Sequence, residues 1–277
     1  MVKMGDVWDR TAEFLSDNIA AILPVALLAF FVPASISGNF AAAREGAGLG
    51  LEAGLLLAQL ALAILSVWGT IAITVMALDD AGSEGVGRTA LRRLPAALVL
   101  AVTGFVVAIV ALLPIPLVLG ANGVDMTALA EGRDAAMGSG PATFVALYVL
   151  ALAAIGIWLM ARLIVVNPVL VREGRWLSAY TQSWKLTRGV TWRIIGVILL
   201  FALVAWVSWL AAQTVFGSVF ALVAGEMDDG VSLAGVLTSI VVAAVQTAFM
   251  VLGAAFVAKL YLALTARVGL RGSAAAA

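Results

Sequence analysis

The chain has 277 residues, of which 64% are hydrophobic and 12% are charged, with sixteen basic side chains balanced by sixteen acidic ones. Soluble domains carry about 25% charged residues, so this composition excludes a water-soluble globule and, by its high hydrophobicity, a disordered chain. The sequence contains no cysteine and no histidine, which removes thiolate and imidazole metal sites, disulfides and the commonest general base. We therefore expect no metal and no cofactor, and the zero net charge gives no basic field for nucleic acid.

Six long apolar segments predict an all-α integral membrane protein with six transmembrane helices. A bilayer core of about 30 Å needs about 20 apolar residues in a helix, and each segment is long enough. Charged or Gly-rich breaks separate them. The predicted hydrocarbon portions lie near residues 19–37, 54–78, 96–119, 142–166, 194–217 and 234–262. We expect residues 1–277 to form a single polytopic membrane domain.

The basic residues are distributed unequally between the two sides of these spans. Of the 16 Lys and Arg side chains, only Arg44 and Arg133 lie in the loops that follow spans 1, 3 and 5. Because Lys and Arg concentrate in cytoplasmic loops, both termini are predicted to be cytoplasmic.

A short amphipathic stretch precedes each outward-going span, and the pattern is clearest before span 5. There Trp176, Tyr180 and Trp184 recur every four residues and form one stripe of a helix. Amphipathic helices of this kind lie in the membrane interface. The three stretches are residues 5–16, 85–94 and 175–188. We predict three units, each an interfacial helix followed by a hairpin of two spans, in a pseudo-threefold arrangement. The units cover about residues 5–79, 85–172 and 175–267.

Two basic residues lie inside long apolar segments. Arg162 and Lys259 occur in Ala-Arg-Leu and Ala-Lys-Leu tripeptides at matching places in the second and third units. Charge within a membrane segment indicates function, although long basic side chains near a span end also extend to the interface. Two interpretations stand: contact with the interface or a lipid phosphate, and a lined cavity. A phosphate site shared by the two residues is the functional hypothesis.

Basic residues accompany the aromatic stripe before span 5. Lys185, Arg188 and Arg193 lie beside Trp176, Tyr180 and Trp184 in the sequence. Aromatic residues anchor helices at the membrane interface, and the neighbouring cations attract anionic lipids. The pattern therefore predicts a surface for lipid headgroups, and docking of a partner protein is the alternative.

Polar and small residues within the spans permit two interpretations each. Gln59, Gln213 and Gln246 are the larger polar groups there; they either join helices through hydrogen bonds or line a substrate path. A ridge of small residues leads into span 2 with a spacing of four. It either packs span 2 inside its own bundle or forms an interface between protomers, and it consists of Gly46, Gly50 and Gly54.

The region from span 4 into span 5 resembles a known superfamily. It contains Ala161-Arg162-Leu163, Asn167-Pro168, Glu173-Gly174 and the run Ser183-Trp184-Lys185-Leu186-Thr187-Arg188-Gly189. These residues resemble the membrane domains of the bacterial glycerophosphoryl diester phosphodiesterase type and of the YciC-like inner-membrane proteins. The resemblance implies about six spans, a bacterial inner membrane and a phospholipid context. It does not extend to a soluble phosphodiesterase domain, so it implies no phosphodiesterase activity.

The sequence contains no GxSxG, GxxxxGK or HExxH motif, and we expect no enzymatic activity. The leading hypothesis is a polytopic inner-membrane protein that binds phospholipid or a membrane partner in envelope lipid homeostasis or assembly. A transporter or channel for a small or amphiphilic solute is the alternative. A homo-oligomer is compatible with either.

Overall fold

The computed structural model describes residues 3–36, 48–79, 85–130, 138–219 and 233–276, and the regular elements in these ranges are all helical. The helices are α1 (Met4–Ala26), α2 (Leu49–Asp79), α3 (Val86–Leu112), α4 (Pro114–Ala121), α5 (Met126–Ala130), α6 (Ser139–Leu163), α7 (Val166–Glu173), α8 (Ser178–Thr187), α9 (Thr191–Ala211) and α10 (Leu233–Ala276). Two π-helical turns, Leu27–Phe31 and Ala212–Phe216, prolong α1 and α9.

Six helical segments in the described ranges are long and apolar enough to cross a membrane, which confirms the predicted number of spans. In lipid a helix satisfies all backbone groups within one segment, so continuous apolar sequence becomes continuous helix. The segments are Met4–Ile36, Gly50–Leu78, Val86–Ala121, Ser139–Glu173, Thr191–Val219 and Leu237–Gly269.

The core of the bundle forms around α2 and α10. These helices pack against each other and both contact α1, while α3 covers the other side of α2 and α9 covers α10. Helix α6 packs against α8 and α9. Because α10 contacts α1, the last span and the first span are neighbours, and the bundle closes on itself.

Two of the three amphipathic stretches are not separate helices. Residues 5–16 are the first turns of α1, and residues 85–94 lead directly into α3. Residues 6–23 contain neither Gly nor Pro, so nothing interrupts α1 before its span. Only the third stretch forms a helix of its own, α8, because Gly189 adopts a φ of +83° and turns the chain before α9.

A short buried helix follows span 4, where the sequence analysis predicted only the end of a span. After a two-residue turn the chain enters α7, which packs against α2, α3 and α10. Val165, Val169 and Leu170 have no solvent exposure. Pro168 fits in the first turn of α7, where its missing N–H costs no helical hydrogen bond. Gly174, with a φ of +67°, ends the helix.

Spans 1 and 2 approach most closely at the π-helical turn of span 1. The hydroxyl of Ser66 donates a hydrogen bond to the carbonyl oxygen of Ala29 at 2.9 Å. A Cβ on the buried Gly69 would overlap the Cβ of Ala29. A π turn disturbs the regular pairing of backbone carbonyls, and in an apolar surrounding these need another donor. Ser66 supplies that donor, and Gly69 permits the approach.

Candidate functional site

The guanidinium group of Arg162, near the end of α6, lies between two tryptophan rings. Its Cζ is 5.4 Å from the ring centroid of Trp158 and 5.0 Å from that of Trp184, and the two rings meet edge to face at 5.1 Å. Nε is buried without a hydrogen-bond partner among the described residues, and Nη1 lies 3.5 Å from the carbonyl oxygen of Trp184. The two rings hold the guanidinium group in place, and its positive charge can attract an anion.

Helix α8 is held across the end of α6 by two hydroxyl groups. Ser183 Oγ donates to the carbonyl oxygen of Arg162 at 2.9 Å, and Thr187 Oγ1 contacts the same oxygen at 3.2 Å. This carbonyl belongs to the last turn of α6, where carbonyls lack partners within the helix. Both hydroxyl residues are fully buried. Their attachment places Trp184, which lies between them in α8, over the guanidinium.

An apolar groove lies beside this pair of rings, between α3, α6 and α8. Its volume is about 500 Å³, within the range of about 300–1,000 Å³ typical of ligand sites. Leu159, Leu163 and Trp184 line it together with Lys185, whose exposed ammonium group is the only formal charge in the lining. We call this cavity the Arg162 groove. Its interior is apolar, and Arg162 does not line it but contacts Trp184, which does.

Lys259 lies in a separate cleft between α1 and α10, of about 550 Å³. Its Nζ is 4.8 Å from the ring centroid of Phe14, and the residue is only 8% exposed. Glu13 and Asp17 also line this cleft. The ring beside Lys259 and the cavity that it lines differ from those beside Arg162. A phosphate site shared by the two residues stays a prediction.

The two cations nevertheless have equivalent surroundings. Arg162 in span 4 packs under Trp184, which precedes span 5, and Lys259 in span 6 packs against Phe14, which precedes the apolar part of span 1. In the first case the ring belongs to the stretch of chain that leads into the next span. The second case is equivalent if the spans are numbered around a ring, so that span 1 comes after span 6.

Span 2 has an uncharged residue at the corresponding position. Arg162 follows Trp158 by four residues, and Ala72 follows Trp68 by four. The ring of Trp68 lies 3.8 Å from a Cβ built on Gly87, near the start of α3. Span 2 therefore contacts the start of span 3 through a tryptophan, as span 4 contacts the helix that precedes span 5. No cation takes part in the contact of span 2.

The predicted aromatic and basic rim is only partly exposed. Trp176, Lys185, Arg188 and Arg193 lie at the surface. Tyr180 instead points into the bundle, and its hydroxyl donates a hydrogen bond to the carbonyl oxygen of Leu100 in α3 at 2.7 Å. Burial raises the pKa of Tyr180 above its ordinary value, so the hydroxyl is protonated and remains a donor at neutral pH. Tyr180 is a contact between α8 and α3.

The polar and small residues of the spans lie away from these cavities. Gln59, Gln213 and Gln246 are exposed, and they line neither the Arg162 groove nor the cleft of Lys259. Gly50 and Gly54 are exposed as well, and a Cβ on either would meet no atom within 4 Å; Gly46 lies outside the described residues. The first half of α2 is exposed, Gly69 is its first buried residue, and burial is continuous only from Ile71. Packing of the ridge inside the bundle is therefore not seen.

A polar cluster that the sequence analysis did not find joins α7 to α10. Tyr261 Oη donates to Glu173 Oε1 at 3.1 Å, and Arg175 Nε lies 2.7 Å from Glu173 Oε2. Tyr261 is almost fully buried. The only signal in the sequence was Glu173 directly before Gly174, at the end of a helix.

Replacing Glu173 by alanine is expected to destabilise the protein by about 1–3 kcal/mol, because it leaves the buried hydroxyl of Tyr261 without an acceptor. Glu173→Gln is the matched control, since its amide oxygen still accepts from Tyr261 while the ion pair with the half-exposed Arg175 is lost. Thermal unfolding of the purified protein in detergent measures the stability of the two variants. Equal losses for the two variants would show that the ion pair, and not the Tyr261 hydrogen bond, is the stabilising contact.

The fold and the site define a class: a polytopic membrane protein with six helices suited to spanning a bilayer and with cations held against aromatic rings at one end of the bundle. Comparisons with protein-family models, with curated proteins and with solved structures gave no match.

Proposed function

We propose that this protein is a non-enzymatic phospholipid-binding protein of the bacterial inner membrane, acting in envelope lipid homeostasis or assembly. The observation that supports this most directly is the Arg162 guanidinium held between Trp158 and Trp184 beside an apolar groove. A guanidinium matches a phosphate group through paired hydrogen bonds. The groove accommodates an acyl chain, and the ammonium group of Lys185 adds a second cation at its edge.

The end of the bundle that carries this site is rich in arginine. Arg93 packs against Gly174, and Arg267 lies beside Gly189. We propose that this end faces the cytoplasm, with both termini on that side. An anionic leaflet attracts each such cation by about 1 kcal/mol, which supports binding of acidic phospholipids. The resemblance to the glycerophosphoryl diester phosphodiesterase membrane domain and to YciC-like proteins agrees with this context.

We further propose that the six spans form three hairpins related by pseudo-threefold symmetry. The equivalent surroundings of Arg162 and Lys259, and the similar contact of Trp68 with Gly87, support it. The contact of α10 with α1 is then equivalent to that of α2 with α3. In this arrangement the basic end contains two related but separate cation sites.

Native mass spectrometry of the protein released from its own membrane tests the proposal. We expect Arg162→Gln to lower the amount of retained phospholipid by about tenfold or more, since charge-assisted hydrogen bonds contribute about 1.5–3 kcal/mol. Lys259→Gln should have a smaller effect, because Lys259 does not contact the groove, and the double variant should show the product of the two effects.

Arg88→Gln is the matched control, because it removes one exposed positive charge near the start of α3 without touching the tryptophan pair. If Arg162→Gln retains as much phospholipid as the unaltered protein, or if Arg88→Gln loses as much, the phosphate site is refuted. None of Gln59, Gln213 and Gln246 lines a cavity described above.

A further inference from the structure

A second cleft lies inside the bundle, on the other side of Tyr180 from the Arg162 groove. It occupies about 330 Å³ between α2, α3 and α7. Tyr180 and Gly104 line both cavities. A Cβ on Gly104 would lie 3.8 Å from the hydroxyl oxygen of Tyr180, so a larger residue at position 104 would narrow the connection. We call this cavity the interior cleft.

The interior cleft is more polar than the groove. Thr70 and Tyr180 are satisfied, since Thr70 Oγ1 donates to the carbonyl oxygen of Ser66 at 3.0 Å and Tyr180 donates to Leu100. The carboxamide of Asn167, in the first turn of α7, has no hydrogen-bond partner in the described part of the chain. Asn167 is half-buried, so its amide groups are accessible from the cleft that they line. A molecule in the cleft can therefore exchange hydrogen bonds with Asn167.

The charges and shapes of the two cavities define the occupant. No Asp, Glu, Lys or Arg lines the interior cleft, so a head with a full charge would be left uncompensated there. The groove, by contrast, is almost entirely apolar and fits a hydrocarbon chain. A polar but uncharged head joined to a single chain is complementary to both.

We propose that the interior cleft and the Arg162 groove together bind a single-chain amphiphile with an uncharged, hydroxyl-bearing head, of the monoacylglycerol class. The carboxamide of Asn167 accepts hydrogen bonds from the head group and donates hydrogen bonds to it. The hydrocarbon chain of the amphiphile extends past Tyr180 into the groove. The site is distinct from the phosphate site at Arg162, although both use the groove for a chain. It goes beyond the proposed function because its head group carries no phosphate.

Photocrosslinking in vesicles tests this proposal. The full chain is reconstituted in phosphatidylcholine vesicles with a monooleoylglycerol that carries a diazirine in its chain, and labelled peptides are identified by mass spectrometry. We expect saturable labelling of α3 and α6 along the groove. Unlabelled monooleoylglycerol should compete, whereas methyl oleate, which has the same chain but no hydroxyl group, should compete much less.

Asn167→Leu should weaken this binding by about tenfold, the upper range for one hydrogen bond to an uncharged group. Asn122→Leu is the matched control, since Asn122 lies outside both cavities and bonds only within its own helix end. Gly104→Leu obstructs the connection without removing a polar group and should also weaken binding, which keeps the test decisive if Asn167→Leu does not fold.

Unsaturable labelling, equal competition by methyl oleate, or unchanged binding in a folded Asn167→Leu or in Gly104→Leu would overturn the proposal. Arg162→Gln separates it from the proposed function. That variant should lose retained phospholipid, whereas its monooleoylglycerol labelling should not fall, because the two ligands share the groove for a chain but not the group that binds the head.

Discussion

Replacing Gly69 by alanine is expected to separate spans 1 and 2 and to destabilise the protein by about 3 kcal/mol, which combines the cost of overpacking with that of an unsatisfied carbonyl. The added Cβ would overlap the Cβ of Ala29 and come within 3.3 Å of the ring of Phe30. The Cβ of Ala29 has no torsional freedom of its own, so the helices themselves must move. That movement breaks the hydrogen bond from Ser66 to the carbonyl oxygen of Ala29.

Gly54→Ala is the matched control on the same helix. A Cβ at position 54 meets no atom within 4 Å, so the same substitution should not lower the unfolding temperature, and the higher helix propensity of alanine should raise it slightly. Thermal unfolding in detergent, followed by the loss of helical circular dichroism, measures both variants. Equal stability of the Gly69 and Gly54 variants would contradict the close approach. A loss specific to Gly54 in the membrane, but not in detergent, would indicate the interface between protomers that its spacing permits.

Replacing Trp184 by leucine is expected to lower phospholipid retention by about tenfold and to loosen α8. The substitution removes the cation–π contact with Arg162 and the edge-to-face contact with Trp158, each worth about 1 kcal/mol. Ser183 and Thr187 remain bonded to the carbonyl oxygen of Arg162. We therefore expect α8 to stay attached while its exposed face becomes more mobile, and the guanidinium to lose its fixed position.

A double-mutant cycle distinguishes positioning of Arg162 from independent binding by the ring. If Trp184 acts by holding the guanidinium, Trp184→Leu adds little once Arg162→Gln is present. Trp192→Leu is the control, because Trp192 is 82% exposed and makes no contact with the pair. Hydrogen exchange over α8 gives a readout that does not depend on lipid. Strictly additive losses of retained phospholipid in the double variant, or an equal loss in Trp192→Leu, would show that Trp184 is only one of several interfacial anchors.

The number and approximate places of the spans were predictable from the sequence. A continuous run of Leu, Ile, Val and Ala in lipid has only the helix as a backbone solution, so hydropathy alone predicts each segment. The stripe of Trp176, Tyr180 and Trp184 was also local information, but α8 begins only at Ser178, so Trp176 precedes the helix, and Tyr180 points into the bundle. The amphipathic stretches at the start of α1 and α3 were predicted, but not that they continue directly into the spans.

The contacts between helices could not be predicted from the sequence. Lipid chains are as apolar as the side chains between packed helices, so hydropathy does not indicate which face of a span meets another helix. Gly69 makes the close approach, and it belongs to a different row of small residues from the predicted ridge, one with a spacing of three, while Gly50 and Gly54 remain exposed.

The sequence by itself therefore determined that the chain divides into six apolar helices, because partition between lipid and water is a property of each segment. It also marked Arg162 and Lys259 as unusual, because a charge within an apolar run is visible without a fold. Only the tertiary structure decided that the two cations pack against different aromatic rings, that α7 enters the core, and that Asn167 lines a cleft between α2, α3 and α7. These outcomes depend on which side chains of distant segments meet, and no local pattern encodes that.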